Sequence, residues 1–221
     1  MQTEHNDDDA FDFTEHNIQH IIKLQSYIRG FLQRNIIVIP SSLYQTKQWR
    51  KSRAWYFTGK SNECEKYQVQ LAESITRQKL LKTNFRINMM SFDLINILHP
   101  LKQLDGFEIT ENFDGMFHYN NNTYYFNLKF VCDDGGAQTR TCREVYHFIH
   151  SQLNHITKTN ATNIYFVNIL HGNTMFKFMN KYVYLLDKQQ YQNIRQQVFI
   201  GDMCAFQKKW KKEVQNNVFT F

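Results

Sequence analysis

Residues 113–131 read FDGMFHYNNNTYYFNLKFV. Asn120, Asn121 and Asn122 interrupt two aromatic segments. Asparagine tolerates the left-handed backbone that tight hairpins need, so the run predicts strand, turn, strand. Successive side chains in a strand point to opposite faces. Phe126, Leu128 and Phe130 then share one face, and Asn127 and Lys129 share the other. A polar pair between such aromatic neighbours is more informative than an exposed lysine would be. On the preceding strand Asp114 stands between Phe113 and Gly115. A hairpin turning near Asn121 brings Asp114 beside the Asn127–Lys129 pair.

Downstream, DDGG at 133–136 stops the second strand. The segment 139–153, TRTCREVYHFIHSQL, reads as a helix with Val145, Phe148, Ile149 and Gln152 along one side. TNIYFVNIL, 162–170, is a buried strand by composition, closed by His171-Gly172-Asn173. KYVYLL at 181–186 reads as a fourth strand, and 187–199 and 204–214 read as helical. Upstream, a helix is expected over Glu63 to Leu81 and a short one over Phe92 to Leu98, before Pro100. Strands interleaved with helices imply an α/β chain with a mixed sheet flanked by helices.

The 221 residues suit one domain with a short appendage. Residues 1–13 read as a disordered acidic tail, 14–38 as a separate helix that must end before Pro40, and 39–221 as a single α/β domain. Apolar residues at 42% and aromatics at 15% argue against wholesale disorder. The four cysteines, Cys64, Cys132, Cys142 and Cys204, form no C-x-x-C pair, which excludes a zinc ribbon and a disulfide framework. The acidic N-terminus has no apolar core of a secretory signal, and no apolar run is long enough to span a bilayer. The expectation is an intracellular protein without membrane partners. The Asn- and Ile-rich usage fits an A/T-rich genome, such as a viral one. No Walker A loop, zinc finger or dinucleotide-binding glycine pattern is present.

Within the first helix, Ile21, Leu24, Ile28, Phe31 and Leu32 recur at helical spacing. Leu24-Gln25, Arg29-Gly30, Arg34 and Ile37 stand at fixed intervals along it. Gly30 costs about 1 kcal/mol in a helix interior, which close approach of a partner's backbone would justify. A basic amphipathic helix of this kind suits a calmodulin-like groove. The pattern resembles the IQ motif at every position. The resemblance implies a calmodulin-like partner, with Gln25 and Arg29 meeting one lobe and Arg34 the other. The alternative is a helix packed on its own domain.

A carboxylate that can hold a divalent cation, beside a lysine that can orient water or offset phosphate charge, is nuclease chemistry. The order Asp114, gap, Asn127-Leu128-Lys129 resembles the restriction-endonuclease-like (PD-(D/E)xK) superfamily, whose signature is an acid, then Glu/Asp-x-Lys on the next strand. The resemblance implies a restriction-endonuclease-like core, Mg²⁺, and catalytic roles for Asp114, Asn127, Lys129 and Glu144. Asp114, Asn127 and Glu144 would be the metal ligands. The departure is Asn127, an amide where the family has an acid. Glu144 on the following helix is the expected replacement carboxylate, and Glu111 a second donor. The function implied is a metal-dependent DNA endonuclease or a degenerate DNA-binding relative. The alternative is a non-enzymatic protein-interaction module.

The formal net charge of +6 permits nucleic acid as a partner. Gln138, Arg140 and Arg143 open the helix after the lysine strand and are expected to face DNA. Lys208, Lys209, Lys211 and Lys212 surround Trp210, and Lys47, Arg50, Lys51 and Arg53 interleave with Trp49, Trp55 and Tyr56. Such clusters neutralise phosphates and stack bases without reading sequence.

Overall fold

A computed structural model describes residues 63–97, 108–132 and 135–218. The acidic tail, the IQ-like helix with Leu24, Gln25, Arg29, Gly30, Arg34 and Ile37, and the basic cluster at 47–53 lie outside the described residues.

The asparagine run does what its chemistry predicts. Asn120 and Asn121 both adopt positive φ, 48° and 62°, the conformation of a two-residue hairpin turn. They join β3 (Gly115–Tyr119) to β4 (Asn122–Phe130), antiparallel, with Tyr119 opposite Asn122. From β4 the chain enters α2 (Gly136–Thr159), which ends on Asn160 in the left-handed conformation, its N–H capping Ile156 O. It returns in β5 (Ile164–His171), parallel to β4. α3 (Asn173–Leu186) and two short 3₁₀ turns lead to β6 (Val198–Gly201), parallel to β5. The four-stranded sheet is thus mixed, in the order β3-β4-β5-β6. α1 (Glu63–Thr76) precedes it, and α4 (Met203–Val218) closes it. A mixed sheet flanked by helices is the architecture expected from the alternation of strand and helix patterns.

Central β4 is buried on both faces. Tyr124, Phe126 and Leu128 pack with Phe117, Val167, Ile169, Phe206 and Trp210 in one apolar cluster shared with α1 and α4. Phe113 stacks on Phe166 at 5.4 Å and meets Phe148 of α2 at 4.8 Å on the other side. Gly115 is where the chain needs no side chain: a Cβ there would meet Leu80 at 2.9 Å.

Four local expectations are corrected. α1 stops at Thr76, because Arg77 turns to φ 55° and the Leu80 N–H is taken by the Glu73 side chain at 2.9 Å. Leu81 then bridges Met116 in extended form. Phe92 to Leu98 holds no helix in its described part: Leu94–Asn96 is strand β2, paired with β1 (Phe85–Ile87). Asn88 Oδ1 accepts the N–H groups of Met90 and Ser91, folding a tight turn too close to Pro100 for a helix to nucleate. KYVYLL is the second half of α3, not a strand. Its aromatic composition suggested a strand, yet Met175, Met179, Tyr182 and Val183 bury at helical spacing. Residues 187–199 form 3₁₀ turns and the start of β6 rather than a helix, pinned by Tyr191, whose hydroxyl donates to Asn154 Oδ1 at 2.9 Å.

Candidate active site at the hairpin

Asp114 enters β3 and grips the partner strand on both sides of Asn127. Its N–H donates to Phe126 O at 2.8 Å, and its Oδ2 accepts the Leu128 N–H at 2.6 Å. The side chain thereby replaces a backbone acceptor at the ladder's end. Burial pushes the Asp114 carboxyl up to about 7, against the pull of the Lys129 charge and the Leu128 N–H. The negative charges of Glu65 and Glu111 push in the same direction as burial.

Lys129 Nζ pairs with Glu111 Oε1 at 2.5 Å. The lysine is only 16% exposed and the glutamate 54%. Glu111 is thus the acid that the structure brings to the lysine. Behind Lys129, Gln68 of α1 donates Nε2 to the Lys129 carbonyl at 3.3 Å.

Asn127 is 1% exposed, and its Nδ2 donates to Asn168 Oδ1 at 3.0 Å. Asn168 lies beside it across the parallel β4–β5 pair, and Gln152 of α2 completes a buried row of three amides. Asn127 Oδ1 is buried with no partner among the described residues.

Glu144 is exposed on α2 and lines a cavity of about 330 Å³ together with Glu111, Met89, Ile109, His147 and Phe148. The expected meeting of Glu144 with Asp114 is replaced by this shared cavity: the carboxylates acting on Asp114 are Glu65 and Glu111. Arg143 turns away from Glu144, into a groove with Tyr146 and Phe178. Successive helix positions lie about 100° apart, so the two cannot share a face. Arg140 is exposed, and Gln138 folds its amide oxygen over Gly135. On α4, Trp210 is a core residue at 4% exposure, not a base-stacking platform. Lys208, Lys211 and Lys212 are exposed. Lys209 is not a phosphate contact but a structural one, because its Nζ donates to Gln196 O at 2.9 Å and lies over the Phe199 ring.

Sequence reading missed three residues here. Glu65 and Gln68 stand three apart on α1, the spacing of one helix face, and that was the available signal. Asn168 interrupts the apolar run of β5 much as Asn127 interrupts β4, but only strand register places the two side by side.

Among the described residues no three His, Cys, Asp or Glu side chains gather as a metal group. The donors nonetheless fit a Mg²⁺-type cation, which keeps its waters and uses one or two carboxylates plus substrate phosphate. Asp114 offers a desolvated carboxylate that a cation would relieve of its proton, and Asn127 Oδ1 offers an acceptor with nothing to accept. No protein-family model, curated protein or solved structure matches the chain.

Proposed function

We propose that the chain is a nuclease-like protein with a restriction-endonuclease-like core, acting as a metal-dependent endonuclease on DNA. The observation that carries this reading is the grip of Asp114 on both sides of Asn127, two residues from the Lys129–Glu111 pair. An acid opening one strand, an amide and a lysine on the next, then a helix and a parallel strand, follow the order of that superfamily.

Asp114 and Asn127 would hold Mg²⁺, with Glu65 and Glu111 the further carboxylates whose charge reaches Asp114. When bound, the cation supplies charge stabilisation to the scissile phosphate. Lys129 directs an ammonium to the same place, where it orients the attacking water and offsets charge growing on phosphate oxygens. Glu111 is half exposed and holds Lys129 in place until substrate arrives. Lys208, Lys211 and Lys212 add phosphate contacts that position DNA without reading it.

The test is cleavage of plasmid and single-stranded DNA in Mg²⁺ or Mn²⁺. Wild-type protein is expected to cut, with Asp114→Ala and Lys129→Ala inactive but folded by circular dichroism. DNA retention without cleavage would identify a degenerate binding relative. A protein that neither binds nor cuts DNA removes the nuclease reading.

A second reading rests on the complete IQ-type pattern Leu24-Gln25, Arg29-Gly30, Arg34, Ile37. It is recruitment of a calmodulin-like protein. A peptide spanning residues 16–38 is expected to bind calmodulin in calorimetry, and Gln25→Ala with Arg29→Ala to weaken it more than about tenfold, or 1.4 kcal/mol. Absence of heat at ~100 μM peptide, a limit near −5 kcal/mol, returns the helix to internal packing.

A further inference from the structure

The orientation of a buried amide is set by its partners, and one partner in the row of three leaves no choice. Phe199 O is a backbone carbonyl and can only accept. Asn168 lies 3.1 Å from it and must present Nδ2. The other Nδ2 proton goes to Gln152 Oε1 at 2.8 Å. Asn168 Oδ1 therefore faces the opposite way, accepting from Gln152 Nε2 at 3.1 Å and Asn127 Nδ2 at 3.0 Å. Asn127 must in turn give its nitrogen to Asn168 and keep its oxygen on the far side. Flipping Asn127 would set two oxygens against each other. Flipping Asn168 to relieve that would set its oxygen against Phe199 O. All four hydrogen-bonding positions of Asn168 are used, and the unsatisfied atom in the row is Asn127 Oδ1.

We infer that Asn168 and Gln152 are positioning residues that lock Asn127 as an oxygen-presenting, neutral ligand for a divalent cation between Asp114 and Lys129. The inference rests on the nuclease reading of that site. It explains how an amide serves where an acid is usual: a free amide has two faces, and this one is allowed a single face. It also explains why polar residues occupy the centres of two neighbouring apolar strands, where leucine would pack at lower cost.

The test is Mn²⁺ affinity of the full chain, measured by calorimetry in the absence of DNA and arranged as a double-mutant cycle. Asn127→Ala and Asn168→Leu are each expected to weaken Mn²⁺ about tenfold or more, the usual reach of an outer-shell partner. The double variant is expected to be no weaker than Asn127→Ala alone, because Asn168 acts only through Asn127. The Asn127 side-chain ¹⁵N resonance is expected to shift with Mg²⁺ in wild type and not in Asn168→Leu. Should Asn168→Leu fail to fold, Gln152→Met removes one donor to Asn168 Oδ1 and is expected to weaken Mn²⁺ in the same direction. Affinity within threefold of wild type, or an equal loss when Asn127 is already alanine, overturns the positioning role. If wild type cuts DNA while the cycle is additive, the nuclease reading stands and this inference falls. If wild type neither binds Mn²⁺ nor cuts, both fall.

Discussion

The two faces of β4 are built from alternate residues of one strand and could hardly differ more. Tyr124, Phe126 and Leu128 enter an aromatic and aliphatic cluster with Trp210 and Phe206. Asn127 and Lys129 face an amide row and an ion pair. One face supplies burial free energy without direction. The other spends buried volume on groups that must each find a partner in a fixed geometry. A site of this kind is stable only because its reverse side is packed, which ties the chemistry of Lys129 to the packing of Phe126 and Leu128.

The sharpest way to break the contrast is Phe126→Ala. Phe126 has no exposure and meets Phe117 and Phe206 edge-on or tilted at about 5.5 Å. Its loss is expected to cost ~3–5 kcal/mol in denaturant unfolding, from lost transfer energy plus the cavity left behind. A cost below that of an ordinary surface substitution would mean the apolar face is not the stabilising one.

Titration separates the faces next. Burial raises Asp114 from its ordinary 3.8 to about 7 in the folded protein. The folded state keeps a proton that the unfolded chain has released, so Asp114 lowers stability as pH rises from about 4 to 7, by on the order of 4 kcal/mol at most. His171 is buried with a folded pKa of about 3 against 6.5. It accepts the Met203 N–H through Nε2 and must stay neutral there. Its contribution is present above pH 6.5 and lost as pH falls towards 3; His150 and His155, also lowered by burial, act with it. The two arms oppose each other between pH 4 and 6.5. Thermal midpoints of Asp114→Asn should therefore rise with pH across this window, and those of His171→Gln should shift the slope the other way. Parallel profiles for wild type and both variants would refute the assignment.

Smaller again is Asn127→Asp. The change restores the acid of the family pattern, but it sets a carboxylate oxygen against Asn168 Oδ1 or strands that acceptor. An expected loss of ~1–3 kcal/mol at neutral pH follows from one buried acceptor left unmatched. A stability equal to wild type would show that the amide row can rearrange.

The smallest effects belong to the surface of α4. Neutralising Lys208, Lys211 and Lys212 is expected to flatten the salt dependence of duplex binding by roughly one slope unit per lost contact. Lys209→Gln should leave the slope unchanged, since that ammonium is already committed to Gln196 O. Equal slopes for the two variants would erase the distinction between the exposed and inward lysines.

Sequence alone determined the hairpin, the alternation along β4, α2 and the mixed α/β architecture. These rest on local chemistry: asparagine at left-handed positions, side chains alternating between the two faces of a strand, and a helical stripe through Val145, Phe148, Ile149 and Gln152. Composition misled at KYVYLL, where aromatic and β-branched residues bury along a helix, because the buried stripe and not the residue type sets the element. The site was half legible. Asp114, Asn127 and Lys129 come together because a hairpin fixes its own register. Glu111 rather than Glu144 reaching Lys129, Lys209 turning inward, and Asn168 meeting Asn127 were decided by tertiary structure alone. Each depends on the register or rotation of elements distant in sequence, joined by crossovers whose length does not encode which side chains will touch.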